Sequence, residues 1–199
     1  MSLLPRSFYC RDTISVARDL LGKTLVRKVN GIAISGIISE TEAYRYKDDP
    51  ASHSFPGRTE RNKAMFGDVG RAYVYFTYGM HYCVNAVAKD TKSEAGAVLI
   101  RALVPKTGVD FMMRQRKTDD LSNLTSGPAK LTQAFKITKT LYGEDLTKIS
   151  QLYITDGIKV RRSMIESRPR IGIKKATDNL WNFRITQVIL QVTEMAVQA

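Results

Sequence analysis

The chain has 199 residues, 43% hydrophobic, with 31 Lys and Arg against 19 Asp and Glu, a formal charge of +12. That length fits one domain, residues 1–199, with a real core. No apolar run is long enough to span a bilayer. The charge excess points to a polyanionic partner, nucleic acid first.

The start, MSLLPRSFYCRD, lacks an apolar signal core and reads as cytoplasmic protein, nucleoid-associated if the source is bacterial. RDTISVARDLLGK has helical spacing, with Asp12 or Thr13 as cap and Gly22 as stop. KTLVRKV and IAISGIISETEAY read as paired strands with Asn30-Gly31 as the turn. A long polar loop follows, RYKDDPASHSFPGRTERNKAMF, and loops of that length carry function. YVYFTYGMHYCVN alternates, turns at Tyr78-Gly79-Met80 and alternates again, which is a hairpin. AGAVLIRALVP is a central strand. TGVDFMMRQRK and GPAKLTQAFKI are helical, the second with Ser126 as a possible cap and Pro128 in its first turn. QLYITDG, RPRIGI and WNFRITQVIL return to short strands. Strands and helices interleave without a regular βαβ alternation, so the expected class is α+β.

Several segments bear chemistry. Glu40 and Glu42 stand at i and i+2 on a strand and share a face with Tyr44. They are either a solvated strand end or a general base with a stacking ring beside it. His53 matters if its loop folds over that strand end. The hairpin places Tyr78 at its tip as an aromatic wedge, a device of minor-groove binders. Tyr73 and Tyr75 could hold a base by stacking, or simply fill a half-buried strand. If Tyr75 and Asn85 face one pocket from directly opposed positions, the hairpin loop must hold an odd number of residues; a diagonal placement relaxes this. Lys130 near a helix start suits a phosphate, and so do Arg168 and Arg170 in the basic stretch VRRSMIESRPRIGIKK. Lys130 could also be an amine nucleophile. Two cysteines and two histidines offer no zinc or iron–sulfur spacing, so no metal is expected.

The ordered series ISETEAY, ASHS, RN…MF, AYVYFTYGMHYCVN, VLIRALVP, LTSGPAKL and RIGI resembles the alkyladenine (3-methyladenine) DNA glycosylases of the mammalian alkyladenine type. The resemblance covers the chain from the first helix to WNFRI. It implies a curved, largely antiparallel sheet flanked by helices, with a hairpin that enters the minor groove. It implies a cofactor-free monomer acting on double-stranded DNA that contains damaged purines. The bases would be 3-methyladenine, 7-methylguanine, hypoxanthine and ethenoadenine. By the same resemblance Glu42 is the general base and Arg101 its catalytic neighbour. Tyr44 and Tyr75 flank the extruded base, His53 contacts the base or sugar, Asn85 lines the specificity pocket and Tyr78 fills the gap in the duplex. The loop after His53 is slightly shorter than in the mammalian type, and His81 stands where an aromatic is common. The reading from another class is a non-enzymatic minor-groove binder, which would need the wedge but not Glu42, His53 and Asn85 together.

Overall fold

The computed structural model describes residues 2–186. A one-turn helix α1 (Arg6–Tyr9) leads into α2 (Thr13–Asp19). The Asp12 carboxylate accepts from the Ser15 amide at 2.9 Å and caps α2. Two strands follow, β1 (Thr24–Val29) and β2 (Ile32–Arg45). Asn30 (φ 51°) and Gly31 (φ 78°) join them in the left-handed pair that a two-residue hairpin requires. The polar loop after β2 contains only the short helix α3 (Lys63–Phe66). The hairpin is β3 (Ala72–Thr77) and β4 (His81–Val87), and β5 (Gly96–Thr107) is the long apolar strand. Helices α4 (Val109–Arg116) and α5 (Pro128–Ala134) precede the short strands β6 (Leu152–Thr155), β7 (Ile165–Arg168) and β8 (Asn182–Ile185).

The strands form one sheet in the order β3-β4-β5-β2-β1-β6, and all its pairings are antiparallel. β1 pairs the first half of β2, and β8 pairs Glu40 to Glu42 further along. β7 then lies against β8. The class is α+β, as the interleaving of elements implies. Alternation gives the sheet two unlike faces. Ala72, Val74, Val84, Ala86, Val98 and Ile100 join the main core with α2 and α5. Tyr73, Val87 and Ala97 face the other way, against Met65 of α3.

Three expectations need correction. The N-cap of α5 is Gly127, without a side-chain cap; Ser126 instead receives the Lys130 ammonium at 3.3 Å. RPRIGI is not a strand beyond Arg168, where β7 ends. Pro169 has no amide to donate, Arg170 turns inward and Gly172 is left-handed at φ 77°, so the segment continues as a loop that bonds Ala43 and Glu42 of β2. The helix of the first segment stops at Asp19, short of Gly22. The part of WNFRITQVIL after Thr186 lies outside the described residues.

Candidate active site

The sheet is irregular where β2 meets β5. Ile38 pairs Leu103, Glu40 pairs Ala102, and Thr41 pairs Ile100. Ser39 is therefore an extra residue on β2, and Arg101 one on β5. The two bulges cancel, so the register is the same on either side of Glu40. Bulges re-aim side chains locally, and they recur beside active sites. Here they bring Arg101 onto both acidic residues. Its Nε donates to Glu40 Oε1 at 3.0 Å and its Nη1 to Glu42 Oε2 at 3.4 Å.

Glu42 is fully buried. Its Oε1 accepts from the Asn182 side chain at 3.0 Å and from the Ile171 amide at 2.8 Å. Its Oε2 accepts from the Tyr44 hydroxyl at 2.8 Å as well as from Arg101. Four donors thus meet four lone-pair positions, the full acceptor capacity of a carboxylate. Burial and the Glu42 charge beside it drive the Tyr44 hydroxyl well above its ordinary pKa, so Tyr44 is a firm donor.

A cavity of about 400 Å³ opens in front of this cluster. Tyr44, His53, Tyr75, Asn85 and Arg101 line it, with Tyr78 at the same opening. The volume suits a small-molecule site. Glu42 is absent from the lining and sits directly behind Tyr44 and Arg101. Both candidate stacking rings carry a guanidinium, Arg170 4.7 Å from the centre of Tyr44 and Arg61 5.5 Å from that of Tyr75.

His53 reaches the cavity because its loop is tied down. The buried Asn62 donates to the carbonyls of His53 at 2.7 Å and Gly57 at 2.9 Å. His53 Nδ1 meets the Tyr73 hydroxyl at 2.9 Å, and its ring stands edge-on to Tyr75 at 4.6 Å. Burial, with Arg61 nearby, lowers the His53 pKa, so the ring is neutral at neutral pH. Burial likewise raises the Tyr75 hydroxyl and the Cys83 thiol opposite it.

The hairpin loop holds three residues, an odd number. Tyr75 opposes Cys83, and Tyr73 opposes Asn85, so Tyr75 and Asn85 meet the cavity diagonally. The Asn85 amide nitrogen donates to the Tyr73 carbonyl at 2.9 Å. At the tip, Tyr78 (φ 51°) and Gly79 (φ 67°) are both left-handed. Tyr78 is 81% exposed. A left-handed non-glycine residue costs about 1–2 kcal/mol, and such strain collects at functional positions.

The expected phosphate ligands do not gather here. Lys130 bonds Asn123 and Ser126 in the segment before its own helix, outside the cavity lining. Arg168 is exposed and paired with Glu166. Arg170 is a correction: its guanidinium is fully buried against Asp49 and cannot reach a phosphate. Asn182, Asn62 and Asp49 were not foreseen. Asn182 and Asp49 meet partners 140 and 121 residues away in sequence, which no local pattern marks, whereas Asn62 bonds carbonyls 9 and 5 residues back in its own loop.

A family model described as methylpurine-DNA glycosylase (MPG) matches residues 7–188. The chain belongs to the methylpurine-DNA glycosylase family. A protein of Carboxydothermus hydrogenoformans is 50% identical over 181 residues, covering 91% of this chain and 94% of the relative. One from Methanoculleus marisnigri is 46% identical over 178 residues, covering 88% and 91%. One from Prosthecochloris aestuarii is 45% identical over 182 residues, covering 91% and 86%. All three are named, provisionally, 3-methyladenine DNA glycosylases. Membership of this family makes the chain an enzyme acting on N-glycosyl bonds, with DNA as its partner. No helix among the described residues is long and apolar enough to cross a membrane.

Proposed function

We propose that this protein extrudes an alkylated or deaminated purine from duplex DNA into the cavity and hydrolyses its glycosidic bond, working as a monomer without a cofactor. The observation that carries this reading is a buried, fully hydrogen-bonded glutamate directly behind a cavity lined by four tyrosines, Tyr44 and Tyr75 among them. A base inside a stacked duplex is out of reach, so the nucleotide must rotate out. Tyr78 fills the vacated space, as wedge residues do. Tyr44 and Tyr75 hold the base by stacking.

Glu42 then accepts a proton from a water aimed at C1′, and its charge stabilises the oxocarbenium-like sugar. All its lone pairs are occupied in the structure. The water must therefore replace one donor, and the 3.4 Å contact from Arg101 is the weakest of the four. Arg101 also lines the cavity, so it can follow the water as a donor. The proposed substrates are 3-methyladenine, 7-methylguanine, hypoxanthine and ethenoadenine. Lys130 lies outside the cavity lining, which disfavours it as an amine nucleophile.

The test is release of free base from alkylated or hypoxanthine-containing duplex by the parent and by Glu42→Gln. The amide keeps the shape without the charge. Its single-turnover rate should fall by about 10²–10⁴, while damaged duplex still binds. A rate near that of the parent removes Glu42 from the role. No release by the parent removes the function itself.

A further inference from the structure

We propose that Asp49 and Arg170 form a buried strut that positions Glu42 and Tyr44 for catalysis, a role resting on the function proposed above. The two residues come from different loops, one after β2 and one after β7. Arg170 Nη1 and Nη2 bond the two Asp49 oxygens at 2.6 Å each, a fork-on-fork pair. Among the described residues no other ion pair has both side chains fully buried.

Each end of the strut grips the site. Arg170 Nη1 also donates to the carbonyl of Ala43, the residue between Glu42 and Tyr44, at 2.9 Å. The guanidinium lies 4.7 Å from the Tyr44 ring centre and 5.0 Å from that of Trp181. Tyr44 lines the cavity and Arg170 does not, so the guanidinium backs the wall on which a base would stack. The next residue, Ile171, gives Glu42 its amide. Asp49 accepts from the Arg45 amide at 3.1 Å and the Ala51 amide at 3.2 Å, and Ala51 also lines the cavity. Two of the four donors on Glu42, the Tyr44 hydroxyl and the Ile171 amide, thus depend on this pair.

Stability alone is a poor reason for such a pair. Well-packed apolar residues of similar volume often serve as well or better. Arg170 Nε is moreover buried with no partner, and such a group calls for an explanation. A rigid fork that fixes two site elements at once supplies it, because catalytic groups tolerate little displacement.

The decisive variant is the double replacement Asp49→Leu with Arg170→Met, which fills the space without charge. Three quantities are measured on the full chain: the urea midpoint, the affinity for hypoxanthine-containing duplex, and the single-turnover rate at saturating enzyme. We expect a folded protein with affinity near that of the parent. Its rate should fall by about 10- to 100-fold, the loss that an ångström of misplacement can bring. A folded double variant with the parent's rate overturns the proposal, as does a rate loss that saturating enzyme restores. If the double variant does not fold, Arg170→Lys decides. Lysine keeps the charge but cannot form the fork or the stack. A lowered saturated rate at near-parent affinity supports the strut, and a parent-like rate overturns it. A parent that releases no base defeats the proposed function and leaves these variants without a rate to compare, so the two failures are distinct.

Discussion

The second half of β2 and the tip of the β3–β4 hairpin both present side chains to one cavity, in opposite physical conditions. At β2 every lone pair of Glu42 is matched, and Asp49 and Arg170 support the segment from behind. At the hairpin tip Tyr78 and Met80 are exposed apolar side chains on a left-handed turn. One region satisfies its polar groups internally, and the other leaves its large side chains exposed. A reacting carboxylate needs fixed neighbours, whereas a wedge gains by burying its ring only when DNA arrives.

The largest effect should come from the internally satisfied region. Arg101→Met leaves Glu40 and Glu42 adjacent without their shared cation. Breaking a buried pair by removing one partner costs about 3–5 kcal/mol. The urea midpoint should drop accordingly, and excision should fall with it. An unchanged midpoint would mean that Asn182, which also bonds both carboxylates at 2.8 and 3.0 Å, suffices alone.

The hairpin tip should behave in the reverse way. Tyr78→Ser removes an exposed ring, so stability should hardly change. Affinity for damaged duplex should fall by about 1–3 kcal/mol, the scale of a lost stacking contact. Excision from single strands, which need no plug, should fall much less. Equal losses on both substrates would show that Tyr78 is not a wedge.

The two regions were also unequally legible in the sequence. The hairpin was plain, because alternation and a glycine turn are local signals, and the position of Tyr78 followed from them. The pairing of Glu40 with Glu42 was visible as an i, i+2 spacing. Of their partners, Tyr44 shared the face, Arg101 came only with the resemblance, and Asn182 was not visible at all. Asn182 meets Glu42 across β2 and β8, 140 residues away in sequence. Arg101 reaches both glutamates only through paired bulges that no periodicity announces. Arg170 was misread for a related reason: a basic stretch suggests a solvated face, and its buried acid lies 121 residues upstream.

Between these extremes lies Asn85, buried and on the cavity wall. Its amide nitrogen is committed to the Tyr73 carbonyl, which can only accept. What remains for a ligand is the second N–H and the amide oxygen, and the oxygen is an acceptor that a guanine 2-amino group could satisfy. Exclusion of guanine through an unpaired amino group is therefore disfavoured, and exclusion by contact remains. Asn85→Ala should raise release of undamaged guanine relative to hypoxanthine. Background guanine release with hypoxanthine unaffected would place the gate elsewhere.

The smallest effect concerns His53 and pH. Burial first, and Arg61 second, lower its folded pKa below the ordinary value. As pH falls through the ordinary histidine range, the unfolded chain takes up a proton that the folded chain refuses. Stability then declines with each step down in pH until the folded pKa is reached, and it is fully present above the ordinary value. Burial keeps the Tyr73 hydroxyl protonated, so it serves either tautomer of the neutral ring as donor or acceptor, and protonating the ring leaves Nδ1 able only to donate. His53→Asn removes the titrating group while leaving a polar side chain in the loop. Urea midpoints of the parent and the variant, followed from pH 7.5 down to pH 5, should diverge, with the parent losing more. Parallel curves would mean that His53 takes up its proton as readily in the fold as out of it, and that the Tyr73 contact does not discriminate between the two forms.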